Sequence, residues 1–119
     1  MELIKKEKTI PSIEELPKLF IGTGEVRGFQ FTQVKKSESA YIYQVNVEGK
    51  IYFEIFERKS TQKCIDFKQR IYSETEFKEI YPKANSFGFW AWTYPTYQQA
   101  LQKFDEISSR IARNFERSN

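Results

Sequence analysis

Between Tyr41 and Glu57, two runs of alternating apolar and polar residues flank the dipeptide Glu48-Gly49, a pattern that predicts an antiparallel β-hairpin near the middle of the chain. Its register matters as much as its existence, because a slip of one residue carries every side chain to the opposite face. A two-residue loop at Glu48-Gly49 would pair Tyr43 with Glu54 and Gln44 with Phe53, mixing apolar and polar partners on both faces. A three-residue loop from Val47 to Gly49, with Gly49 left-handed in a bulge, instead pairs Val45 with Ile51, Tyr43 with Phe53 and Tyr41 with Ile55. That register builds one continuous apolar face, and the pattern favours it.

Around the hairpin the chain alternates turn signals with short periodic segments. Ser12 followed three residues later by Glu15 has the form of a capping box and predicts a short helix from Ile13 to about Phe20, interrupted by Pro17. Gly22, Gly24 and Gly28 punctuate the approach to a strand at about Val26 to Val34. Gly22-Thr23-Gly24 has neither the third glycine nor the Gly-Lys-Ser/Thr of a phosphate loop, so it reads as a turn. Lys35 and Lys36, with Ser37 to Ser39, read as a hairpin turn with solvated charge. A further strand from about Lys63 to Tyr72 alternates Ile65, Phe67 and Ile71 with Asp66, Lys68 and Arg70, Gln69 breaking the pattern. Ser73 with Glu76 is a second capping-box pattern, opening a helix that carries Phe77, Ile80 and Tyr81 and stops at Pro82. The aromatic-rich segment Phe87 to Tyr94 reads as a buried fifth strand.

The clearest helix is the last, where Tyr97, Ala100, Leu101, Phe104, Ile107, Ile111 and Phe115 recur at spacings of three and four. Thr96 with Gln99 supplies its capping box, and Pro95 discourages an earlier start. Arg110, Arg113 and Arg117 share one side near its C-terminus, where cations complement the helix dipole. Each well-buried residue of the apolar stripe contributes about 1.5 to 3 kcal/mol. The expected fold is α+β. An antiparallel β-meander of four to five strands has one face covered by a long C-terminal amphipathic helix, with one or two short helices besides. Residues 1–119 are expected to form a single domain, and residues 1–10 a flexible basic N-terminal segment.

Chemistry is narrowed by what the chain lacks. It has 119 residues, no histidine and one cysteine, Cys64. The usual general base near neutral pH and the commonest zinc ligand are therefore missing, and Ser-His pairs, thiolate zinc sites and Cys-x-x-Cys redox pairs are excluded. Carboxylates, lysines, tyrosines and hydroxyls remain as catalytic material. The run Ile65-Asp66-Phe67-Lys68 is similar to the acid-x-Lys strand motif of restriction-endonuclease-like nucleases. That resemblance implies Mg²⁺ held by Glu54 and Asp66 with Lys68 positioning the attacking water. The alternative for these residues is a solvated strand face with cross-strand ion pairing. No cofactor is implied. Cys64, unable to form an internal disulfide, reads as a small buried residue in a reducing compartment. The Lys-rich start has no apolar stretch after it, so the expected location is cytoplasmic, with no membrane partner.

The surface offers three uses. In the favoured register the outer hairpin face carries Ile42, Gln44, Tyr52, Glu54 and Phe56, joined by Asp66, Lys68 and Arg70, more apolar than solvation alone requires. The leading expectation is a non-catalytic binding or accessory protein, with a protein–protein or homodimer interface on its sheet. The alternative is a single-stranded nucleic-acid-binding module, with bases stacking on rings and phosphates meeting Lys or Arg. Strands followed by a helix resemble the single-stranded-DNA-binding coactivator and whirly folds, an architectural likeness consistent with that alternative. Trp90 and Trp92, two apart, would form a stacking platform if exposed and core if buried. The candidate binding surface is Ile42, Tyr52, Phe56, Lys68, Arg70, Trp90 and Trp92. The third use is internal, with the Phe77 helix or the Phe87 to Tyr94 segment folding back over Tyr52 and Phe56.

Overall fold

The computed structural model describes the backbone of residues 11–118 and the side chains of residues 11–110; the basic N-terminal segment and the side chains of Ile111, Arg113, Phe115 and Arg117 lie outside these. In chain order the elements are β1 (Ser12–Glu14), β2 (Leu19–Ile21), a 3₁₀ turn (Gly24–Val26), β3 (Gln30–Lys36), β4 (Ala40–Val47), β5 (Lys50–Glu57), β6 (Ser60–Asp66), β7 (Ile71–Glu79), a second 3₁₀ turn (Ala84–Ser86), β8 (Ala91–Tyr94) and α1 (Tyr97–Ser118). They form two compact units, one from residues 11–16 with Lys59–Tyr81, the other from Pro17–Arg58 with residues 82–118.

The larger unit is an antiparallel sheet in the order β2-β3-β4-β5-β8, with α1 on one face. The α+β class, the antiparallel sheet and the C-terminal helix covering one face are those expected from the sequence. The helix begins as its cap dictates. The Thr96 hydroxyl accepts the Gln99 amide N–H at 3.2 Å and donates to Gln99 Oε1 at 2.9 Å. Its apolar stripe places Ala100, Phe104 and Ile107 against Ala40, Ile42 and Ile55, all buried, with Phe53, Trp92, Tyr94 and Leu101 packed around them.

The hairpin at Tyr41 to Glu57 is present, but its register is the two-residue one. Tyr41 pairs with Phe56, Ile42 with Ile55, Tyr43 with Glu54, Gln44 with Phe53 and Val45 with Tyr52. Glu48 and Gly49 both have positive φ, 52° and 89°, as the tight hairpin turn that matches strand twist demands. The three-residue register fails because it assumes one apolar face. Here both faces are buried, so alternation no longer marks inside from outside. Opposite the helix, Phe31, Tyr41, Tyr43 and Phe56 are buried. Tyr43 and Phe56 stack at 5.7 Å, Phe20 and Phe31 at 4.6 Å. The Tyr43 hydroxyl donates to the Pro17 carbonyl at 2.7 Å and accepts from Gln33 Nε2 at 3.0 Å, so the polar end of this ring is satisfied.

Gly22 closes β2 where no side chain fits. A Cβ there would collide with the Val26 carbonyl oxygen and crowd the Phe31 ring. The strand expected over Val26 to Val34 starts later, at Gln30, after the 3₁₀ turn, and runs on through Lys35 and Lys36. The segment Phe87 to Tyr94 becomes strand only from Ala91. Gly88, at φ 96°, turns the chain before it, and Phe89 is left exposed.

The smaller unit is a three-stranded sheet in the order β1-β7-β6, with β1 parallel to β7 and β6 antiparallel to it. Three expectations are corrected here. The helix placed at Ile13 to Phe20 is instead β1 and β2. The strand placed at Lys63 to Tyr72 breaks at Asp66, whose Oδ1 accepts the Gln69 N–H at 3.1 Å, and β7 resumes at Ile71 after a left-handed Arg70. The helix placed after Ser73 is strand. Ser73 Oγ does accept the Thr75 and Glu76 N–H groups, at 3.1 and 2.9 Å, the bonds of a helix cap, but they lie within β7, where its register against β6 shifts.

Candidate functional site

The sequence-expected surface residues do not share one face. Ile42 lies under α1 in the core, and Phe56 is buried on the other side of the same sheet. The two-residue turn separates them, since Ile42 faces with Ile55 whereas Phe56 faces with Tyr41. Tyr52, half-buried on the Phe56 side, donates its hydroxyl to the Glu54 carboxylate. Partial burial, and next the neighbouring Glu54 charge and hydrogen bond, push its hydroxyl up to about 12. Trp92 is half-buried against the helix, with Lys103 Nζ 4.3 Å from its ring centre. Trp90 precedes β8 and donates its amide N–H to the Ser86 carbonyl at 3.1 Å. The two indoles therefore do not sit together on one strand. Lys68 and Arg70 lie exposed in the β6–β7 turn.

The nuclease-like set is divided between sheets. Glu54 is buried in β5 of the five-stranded sheet, and Asp66 ends β6 in the three-stranded one, where it caps the turn. Among the described residues no group of three carboxylate or thiol side chains is arranged to hold a metal ion. Cys64, expected to be buried, is exposed. The smaller sheet's charges pair along one face. Lys63 Nζ lies 2.9 Å from Glu14 and 4.0 Å from Glu76. Its hydrogen bond to Glu14 holds the Glu14 carboxyl below, and the Lys63 ammonium above, their ordinary values.

A surface that the sequence reading did not single out lies on the helix-bearing face of the larger sheet. α1 covers β4, β5 and β8 where they carry Ala40, Ile42, Ile55 and Trp92, while the β2–β3 side of that face is open. Register defines the open half in two rows. One runs Ile21, Gln30, Asn46 and Ile51; the next runs Leu19, Thr32 and Gln44 and ends at Phe53, which packs against the helix. Leu19 is 70% exposed, Ile21 59% and Ile51 45%. The signal was the triplet Leu19-Phe20-Ile21, where Phe20 packs on the aromatic side and its neighbours face the other way. Reading the segment as the tail of a helix hid that alternation.

Among the described residues no helix is long and apolar enough to cross a membrane. Comparisons of the chain with protein-family models, curated proteins and solved structures gave no match.

Proposed function

We propose that this chain is a non-catalytic binding protein that docks a second copy of itself on the open half of its five-stranded sheet. The observation that carries the reading is the exposure of Leu19, Ile21 and Ile51 in register on one face. Large aliphatic side chains grouped on a sheet face gain from removal from water, about 25 cal/mol for each Å² of apolar surface buried. Self-pairing is supported by the order within the row. A twofold contact sets a patch against itself, so it calls for residue types that match when reversed. Ile21, Gln30, Asn46, Ile51 reads aliphatic, amide, amide, aliphatic from either end.

Sedimentation velocity on the full chain tests this. The wild type should shift from monomer to dimer as concentration rises from micromolar toward millimolar. Leu19→Asp with Ile21→Asp should hold it monomeric, and circular dichroism should show the fold retained because both side chains are exposed. A wild type that stays monomeric throughout, or a dimer indifferent to both substitutions, overturns the reading.

A further inference from the structure

The turn between β6 and β7 carries an aromatic ring and two cations that the fold does not use. Phe67 is 83% exposed and its neighbour Ile65 is 68% exposed. Lys68 and Arg70 are exposed and make no ion pair among the described residues. The turn itself is built by the Asp66 cap and by the Arg70 N–H donating to the Phe67 carbonyl at 3.3 Å. Several other cations have work within the fold. Lys63 meets Glu14, Arg110 meets Glu57, Arg58 lies over the Tyr41 ring and Lys103 over Trp92.

We propose that this turn is a contact site for single-stranded nucleic acid, independent of the dimer reading, with a base stacking on Phe67 and phosphates meeting Lys68 and Arg70. An open ring face beside unpaired cations is complementary to a base joined to a phosphate, and every base offers such a face. An anionic lipid surface fits less well, because a broad negative plane would also meet Glu74 and Glu76, which follow on β7. Those carboxylates also keep the footprint short, at the two phosphates that Lys68 and Arg70 reach.

The test is fluorescence anisotropy of a labelled oligothymidylate with the full chain at several salt concentrations. Two phosphate contacts give a log–log salt slope of about −1.4. Phe67→Ser should weaken binding by about 5-fold or more, the loss of one stacked base. Lys68→Ala with Arg70→Ala should make the slope shallower by about 1.4. Lys5, Lys6 and Lys8 are unchanged in each variant, so affinity from them would persist throughout. No binding at low salt, or equal binding by all variants, overturns the proposal. So does binding to phosphatidylserine vesicles or to polyglutamate while the oligonucleotide is inert.

Discussion

Tyr52 shows how a single half-buried side chain can look functional in a sequence and be structural in the fold. Its hydroxyl is held by Glu54, two residues on along the same strand face, and its proton is retained up to about pH 12 against an ordinary 10. The folded state favours the protonated form, so the resulting stability is present in full below pH 10. It is lost as pH rises from there through about 12. Ultraviolet titration should show Tyr52 ionising well after the exposed tyrosines, and Tyr52→Phe should lower the late-ionising amplitude by one tyrosine. A Tyr52 that titrates with the others contradicts the hydrogen bond. The other expected surface residues divide by a parity that residue identity does not disclose. Ile42 and Phe56 are both buried, on opposite faces, while Lys68 and Arg70, on a turn, were legible as exposed because a strand face or a turn would equally have left them in water.

At the scale of elements, the hairpin and the helix were legible for different reasons. The helix was read correctly because its stripe has a period that no strand mimics, and because Thr96 and Gln99 cap it as their identities suggest. The hairpin was legible in position but not in register. Tyr52, Phe53, Ile55 and Phe56 supply apolar side chains to both faces, and because both faces are buried, the register that gathers apolar partners on one face gains nothing over the mixed one. The turn decides instead, and it is strained. Glu48 holds φ 52°, a conformation costly to a residue with a long side chain and tolerated by asparagine. Glu48→Asn should therefore stabilise the fold by up to about 1 kcal/mol, read as a raised denaturation midpoint at unchanged slope. An unchanged or lowered midpoint would argue against the two-residue turn. The capping-box reading failed at Ser12 and Ser73 for a local reason. Ser73 makes the expected bonds to the Thr75 and Glu76 amides, but that hydrogen-bonding loop is as compatible with a register shift in a strand as with the first turn of a helix.

At the scale of the molecule, buried and exposed apolar residues occupy different parts of the five-stranded sheet. The helix and the aromatic face bury the large residues of β4 and β5, whereas β2 and the start of β5 keep Leu19, Ile21 and Ile51 in water. Composition could not reveal this, since aromatic residues at 17% of the chain announce a substantial core without saying where it ends. If the chain docks a second copy of itself, the open half of this face is buried between the two copies. Methyl NMR of the full chain over a dilution series examines it directly. The Leu19, Ile21 and Ile51 methyl resonances should shift together with concentration, while those of Ile42, Ile55 and Ile107, beneath the helix, stay fixed. Shifts confined to other residues, or none at any concentration, would contradict it.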